Sequence, residues 1–413
     1  MTDRNTSADD RPWTGPGMRE FIALMAALMA ANALATDAML PALPAIASSL
    51  GVVEANQRQL VITFFLFGFG IAQMVYGPLS DHFGRKPVLV TGLIGYIAFS
   101  LLVGFAASFP LLLAARTLQG FAAAGSRVLV ISIIRDRFHG SAMARVMSMT
   151  TIVFLLVPVL APSIGQIVLV VANWRFIFYL LAAYAVVILT WSSIRLPETL
   201  AEDVRRPLSL TNIREAVILT LSHRVSIGNT LAMAVIVGAL FAFINSIQQI
   251  VFDVFHRPGS LAALFAGIAG CMAVSSLLNS AIVMRFGARR IMIGGLCFFV
   301  TISVAHLAVS YFLGEDLLTF CVFQALCMAS FGLIAANLGS IAMQPLGHIA
   351  GTASSVQGVV TTLGGAVIGL VIGQQFNGTT MPMIAGFALC GSVGLMLALW
   401  ANRTERVPAA RAA

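Results

Sequence analysis

Charge is what this sequence has least of. Of its 413 residues only 10% are Asp, Glu, Lys or Arg, while 59% are apolar; a soluble domain carries about 25% charged residues. The deficit excludes a water-soluble fold, because no such fold hides so much apolar surface. Clustered His and Cys ligands, a phosphate-binding glycine loop and any connection much beyond thirty residues are missing too. Those absences argue against a polytopic enzyme or receptor and against an ATP-driven pump on one chain. The five cysteines, Cys271, Cys297, Cys321, Cys327 and Cys390, lie in or beside apolar stretches at no metal-like spacing and read as small packing residues. No metal and no cofactor is expected. The first 17 residues are polar, with Asp3, Asp9 and Asp10 and no basic lead into a short apolar core, so no cleavable signal peptide is expected.

What is present is a recurrence of apolar runs, each long enough to cross a hydrocarbon core of about 30 Å. Twelve are counted, over 20–43, 59–79, 88–107, 110–134, 145–170, 174–194, 224–250, 260–284, 291–313, 317–342, 352–376 and 382–400. Without water to bond the backbone, a span must be a helix or part of a closed barrel, and barrel strands would alternate in short segments. The expected fold is therefore an all-α membrane protein of twelve transmembrane helices, with both termini on one side.

The basic residues choose that side. Nineteen fall on the face of the termini: Arg4, Arg11 and Arg19, then Arg85, Lys86, Arg135, Arg137 and Arg145, then Arg195, Arg205, Arg206, Arg214 and Arg224, and finally Arg285, Arg289, Arg290, Arg403, Arg406 and Arg411. Three fall opposite (Arg58, Arg175, Arg257), and Arg116 and Arg127 lie within a span. By the positive-inside rule both termini are cytoplasmic. The net charge of +8 is thus a topology signal and implies no nucleic acid.

One hydrophilic connection, 195–223, divides the chain six spans from six. This gives an N-terminal tail (1–19), a six-helix bundle (20–194), a cytoplasmic linker (195–223), a second bundle (224–400) and a C-terminal tail (401–413). A repeat crosses the linker: His82-Phe-Gly-Arg-Lys-Pro-Val-Leu-Val-Thr-Gly-Leu93 aligns with Arg285-Phe-Gly-Ala-Arg-Arg-Ile-Met-Ile-Gly-Gly-Leu296 at an offset of 203. Halves of six spans share one orientation, so the repeat is parallel, with its axis along the membrane normal.

Gly77-Pro-Leu-Ser-Asp81-His-Phe-Gly84-Arg85-Lys86-Pro87 resembles the signature loop of the major facilitator superfamily. Its glycines permit a tight turn, and Asp81 near Arg85 and Lys86 can form a charge cluster that closes the cytoplasmic face in one state. Asp37-Ala-Met-Leu-Pro-Ala-Leu-Pro44, Arg116-Thr-Leu-Gln-Gly120 and the Pro158/Pro162/Gly165 pattern resemble the drug/proton antiporter branch, more narrowly the bicyclomycin/chloramphenicol resistance (Bcr/CflA) subfamily. Pro197-Glu-Thr199 and His348-Ile-Ala-Gly-Thr-Ala-Ser-Ser355 fit the same subfamily. The resemblance implies a multidrug or antibiotic exporter of a bacterial inner membrane, coupled to the proton gradient and working as a monomer on small molecules. A metabolite-specific exporter or proton symporter for amino acids, sugars or siderophores is the alternative.

Charge inside a bilayer is costly and therefore functional, partnered or hydrated. Asp37 and Arg116 lie at matching depth, about 9 Å from the outer surface. If the first and fourth helices face one another, as the resemblance implies, the two communicate directly or through water and Asp37 exchanges a proton as access alternates. The other reading is that Asp37 only caps the helix before Pro41. Arg127, three turns beyond Arg116, either lines the cavity or snorkels to the inner interface. Pro158, Pro162 and Gly165 would let the fifth helix bend where the halves rock. Gly365, Gly369 and Gly373 form a small-residue face suited to tight contact. Candidate cavity residues are Met29, Asn32, Phe64, Gln119, Asn245, Gln248, Gln249, Gln324 and Asn337. With a single interior acid, neutral or zwitterionic cargo is expected over permanent dications.

Overall fold

In a computed structural model, residues 14–205 and 210–403 are described. Arg4, Arg11, Arg206, Arg406 and Arg411, and with them most of both expected tails, lie outside those residues. The helices run in order α1 (Met18–Asp37), α2 (Leu43–Ser49), α3 (Leu60–Phe83), α4 (Arg85–Gly104), α5 (Phe109–Arg137), α6 (Gly140–Val171) and α7 (Arg175–Arg195). After them come α8 (Leu210–Ser222), α9 (Arg224–Gln249), α10 (Leu261–Phe286), α11 (Ala288–Leu313), α12 (Leu317–Met343), α13 (Ala350–Gln374) and α14 (Met381–Ala401). Twelve stretches are long and apolar enough to cross a membrane. The chain is thus a multi-pass, all-helical membrane protein.

One expectation on span limits needs correcting. The first span is not one helix over 20–43: α1 stops at Asp37, a tight turn covers Leu40–Ala42, and α2 resumes the path. Pro41 and Pro44 lack the N–H groups that a continuous helix would need there. Within the linker, α8 packs on α9 and α13.

The repeat has a backbone counterpart. Gly84 (φ 99°) ends α3 and starts α4, and Gly287 (φ 82°), 203 residues later, does the same between α10 and α11. Positive φ is the reason glycine stands at both positions. At Gly84 there is a second reason, because a Cβ would come within 2.6 Å of the Glu198 carboxylate.

Helices α1 and α3–α7 pack mainly on one another, as do α9–α14. Between the two groups the main contacts are α3 with α13 and α6 with α10. Glycine sets the closest approaches. A Cβ on Gly68 of α3 would lie 1.8 Å from the Thr117 carbonyl oxygen of α5, and one on Gly120 of α5 would lie 2.0 Å from the Phe65 carbonyl oxygen of α3. The two backbones therefore touch reciprocally, in the manner of small-residue contacts in membranes. On α13, Gly365 and Gly369 lie close to Val237 and Phe241 of α9, and Gly373 lies against the Gln59 side chain. Helix α6 runs through Pro158 and Pro162 without interruption.

A methyl group at Gly120 has to force α3 and α5 apart, and overpacking of this kind costs about 1–3 kcal/mol. Gly120→Ala is expected to lower the melting temperature of the detergent-purified protein. Gly267→Ala, where a Cβ meets open space, is expected to leave it unchanged or raise it.

Candidate functional site

The break in α1 carries the one carboxyl placed within the bundle interior. Asp37 is the last residue of α1 and is 4% exposed, and its Oδ1 has no hydrogen-bond partner. Helix α6 presses on this break: a Cβ on Gly165 would sit 1.7 Å from the Ala38 carbonyl oxygen and 3.2 Å from Pro41. Only glycine lets α6 approach so closely. Because α6 also packs on α10, the surroundings of Asp37 feel the position of the second helix group.

Arg116 is fully enclosed, at 0% exposure. Its Nε donates to the Val61 carbonyl (3.0 Å), Nη2 to the Ala35 carbonyl (3.1 Å) and Nη1 to Gln119 Oε1 (2.6 Å). The rings of Phe65 and Phe178 lie 4.5 and 5.7 Å from its Cζ. Of the two expected forms of communication with Asp37, direct or through water, the direct one is not made: the guanidinium is taken up by two backbone carbonyls and an amide and joins α1, α3 and α5. Its acceptor on α1 continues a ladder. Tyr184 Oη donates to the Ala27 carbonyl (2.8 Å), Tyr96 Oη to Ala31 (3.2 Å) and Arg116 to Ala35. Carbonyls four residues apart share a helix face, and each has a second lone pair free for such a donor.

The loop between α3 and α4 gathers a charge cluster. Arg85 donates to Asp81 (2.5 Å), Asp136 (2.8 Å) and Ser80 (2.7 Å). Glu198 accepts from the backbone N–H groups of Arg85 (2.9 Å) and Lys86 (3.1 Å), capping α4. The expectation for Lys86 is corrected: its Nζ donates to the Ser193 carbonyl of α7 and does not meet Asp81. Asp136 and Glu198, which complete the cluster, were not picked out from sequence. Gly77 faces Ser355 of α13, a Cβ there lying 3.4 Å from its hydroxyl.

At the end of the bundle opposite the termini, amides join the two helix groups. Asn56 Nδ2 donates to the Gln374 and Phe376 carbonyls, both at 3.0 Å, and Gln59 Nε2 to Gln249 Oε1 (2.5 Å) and the Gly373 carbonyl (2.9 Å). Gln249 Nε2 donates to Asn56 Oδ1 (3.0 Å), and Gln374 Nε2 to the Asn56 carbonyl (2.9 Å). Arg58 and Asp253 add an ion pair at 3.4 Å. This belt seals that end, and every residue from Ala242 in α9 to Val251 just beyond it is buried.

The amides named as cavity candidates divide accordingly. Gln249 belongs to the seal. Gln119 is tied to Arg116 and Ser100, and Asn337 donates to Asn279 Oδ1 (2.7 Å), so both serve helix packing instead of a cavity. Asn32, Asn245, Gln248 and Gln324 are buried with side-chain atoms left without partners, both polar atoms in the two glutamines. Buried polar atoms are rarely left so. Met29 and Phe64 are half-buried. Arg127 is exposed although it stands well inside α5, with Phe69 of α3 beside it. Among the described residues no group of three His, Cys, Asp or Glu is arranged to hold a metal ion.

A two-bundle molecule with a polar interior and one sealed end matches a known family along most of its length: the family model of the Major Facilitator Superfamily covers residues 25–369. The chain belongs to this superfamily. It is a transporter, not an enzyme, and carries small molecules. Among relatives in the superfamily, the bicyclomycin resistance protein homolog of Haemophilus influenzae is 27% identical over 91% of this chain and 94% of its own. The multidrug resistance protein MdtL of Salmonella dublin is 28% identical over 92% and 94%. In fold, the human organic anion transporter MFSD10 superposes with a TM-score of 0.71 over 94% of this chain and all of its own, at 18% identity.

The seal predicts an accessibility change. In a cysteine-free background, Thr63→Cys, buried behind the amide belt, is expected to resist a membrane-impermeant maleimide, and Gln59→Ala is expected to raise its labelling rate about tenfold. That factor corresponds to the roughly 1.4 kcal/mol carried by one or two net hydrogen bonds.

Proposed function

We propose that the protein is a proton-driven antiporter that exports small, mostly hydrophobic drugs or metabolites across a bacterial inner membrane by alternating access. The observation that carries the reading is Asp37, a buried carboxyl with an unpartnered oxygen at the break in α1, pressed by a helix that also touches the other bundle. The resistance-protein names of the relatives favour drugs as cargo. The arginine-rich face, with nineteen basic residues against three, is the cytoplasmic one, so both termini lie inside and the amide seal lies outside. The two bundles, residues 20–194 and 224–400, act as the rocking bodies of a monomer, and the proton gradient takes the place of any cofactor.

In this state the outer end is shut and access is from the cytoplasm. Cargo enters among Asn32, Asn245, Gln248 and Gln324, whose unpartnered atoms supply donors and acceptors. Rocking of the bundles moves α6 with α10 and so remodels the contact of Gly165 with Ala38, beside Asp37. A carboxyl whose environment changes in this way can take a proton from one side and yield it to the other. Arg116 holds the α1 break in place by its bond to Ala35 and acts on the site as a positioning residue. The Asp81–Arg85–Asp136 cluster, intact here within the first bundle, keeps α3, α4 and α5 moving together. Each proton falling through 100 mV supplies about 2.3 kcal/mol, enough for roughly fiftyfold accumulation.

Everted vesicles test the reading with chloramphenicol as the probe. Under an imposed pH gradient the wild type is expected to take up the probe and to discharge the gradient on its addition. Asp37→Asn is expected to keep its melting temperature and lose both responses. Undiminished gradient-driven uptake by Asp37→Asn refutes the assignment.

A further inference from the structure

Arg127 is not used in the proton step proposed above, and among the described residues no carboxylate pairs with it. It stands on α5 ten residues before the end at Arg137, about 15 Å inside the helix. The residue is exposed, with Cζ 5.8 Å from the Phe69 ring centroid. It joins none of the ion pairs formed among the described residues.

Among the residues whose side chains are described, the other carboxylates are accounted for. Between residues 224 and 403 the second bundle has three, Asp253, Glu315 and Asp316. All three lie at the sealed end: Asp253 meets Arg58, Glu315 meets His306, and Asp316 caps α12 through the Thr319 N–H. In the first bundle Glu20 pairs with Arg195, Asp81 and Asp136 pair with Arg85, and Glu198 caps α4. Glu54, Glu202 and Asp203 lie in connections between spans. The interior therefore holds Arg116 and Arg127 against Asp37 alone. One positive charge is in excess when Asp37 is ionised, and two when it carries a proton. When the bundles close over Arg127, the facing bundle brings no carboxylate to meet it. A charge closed off from water without a partner is costly to keep; Arg116 meets that cost with carbonyl and amide acceptors, and at Arg127 a cargo that carries an anion relieves it.

We propose that Arg127 binds the carboxylate or sulfonate of an amphipathic, aromatic organic anion. The inference rests on the export reading above and narrows its substrate class. The guanidinium fork suits a carboxylate bidentately, and Phe69 beneath it offers an apolar face. Asn32 donates to Ser126, the residue before Arg127, and leaves its Oδ1 unpartnered beside the same turn, an acceptor for a hydroxyl or amide N–H of the cargo. Arg135, exposed two turns further on, extends the positive potential toward the open mouth and favours entry of an anion. Export of an anion also runs with an inside-negative potential, as proton entry does.

Three probes of one shape test this on the full-length protein in detergent without added lipid: 2-naphthoate, 2-naphthamide and 2-naphthylmethylammonium. The wild type is expected to bind naphthoate at least about tenfold more tightly than the other two, as a charge-assisted pair allows. Arg127→Gln is expected to remove that preference while leaving naphthamide binding as it was, and Arg127→Lys to keep part of it. A wild type without preference for the carboxylate, whether the probes bind alike or none binds, overturns the proposal. So does an Arg127→Gln variant whose preference is intact. Asp37→Asn separates this proposal from the antiport reading: naphthoate preference is expected to persist in it while proton-driven uptake is lost. Gradient-independent transport together with Arg127-dependent preference would remove the antiport reading and leave the anion site standing.

Discussion

A guanidinium sealed from water has to satisfy its donors within the protein, and in this molecule that requirement organises the first bundle. Arg116 reaches the Ala35 carbonyl of α1, the Val61 carbonyl of α3 and Gln119 on its own helix. Those bonds form only because α3 and α5 touch at Gly68 and Gly120, which brings Val61 within reach. Gln119 in turn is held by Ser100 of α4. The result fixes α1 against α3, α4 and α5 just before the break at Asp37. The carboxyl that carries the proposed proton step is therefore attached to a rigid frame on one side and to the mobile contact with α6 on the other.

Most of the fold was legible in the sequence because lipid imposes one rule on every span: the backbone bonds to itself and the side chains facing outward are apolar. Val170, Val171 and Leu313, each about four-fifths exposed, show that rule at work. The repeat was legible because a positive φ at Gly84 and Gly287 leaves glycine without a substitute. Partners were not legible. Arginine at the depth of Asp37 suggested an ion pair, whereas backbone carbonyls, which no sequence pattern displays, took the guanidinium. Tyr96 and Tyr184, among only five tyrosines in the chain, were the available sign that α1 carbonyls receive side-chain donors, since a buried hydroxyl needs an acceptor. The amide seal escaped because Asn56, Gln59 and Gln374 read as ordinary polar residues at span ends.

The two halves repeat in backbone but not in charge. The positions 203 residues beyond Asp81 and Arg85 are Met284 and Ala288, so the cluster tying α3, α4 and α5 has no counterpart in the second bundle. There Arg289 instead donates to the Asn402 carbonyl at the end of α14. The interior charges likewise all belong to the first bundle. The second contributes neutral amides, Asn245, Gln248 and Gln324. The proposed proton step and the proposed anion site are thereby both placed on α1 and α5, and the second bundle supplies polar but uncharged amides.

That division bears on how the molecule can switch. A seal between moving bodies must be strong enough to bias one state and weak enough for a proton and a cargo molecule to reverse. Neutral hydrogen bonds contribute about 0.5–1.5 kcal/mol net each, so the belt from Asn56 to Gln374 amounts to several kcal/mol, comparable with one or two protons falling through the membrane potential. Breaking a buried ion pair can cost about 3–5 kcal/mol by itself. In this structure the buried Arg85 pairs lie within one bundle, where they need not break, and the one ion pair across the seal, Arg58 with Asp253, is partly exposed and therefore weak. Strong electrostatics tie the first bundle together, and weak amide bonds join it to the second, so that modest driving energy suffices to rock one against the other.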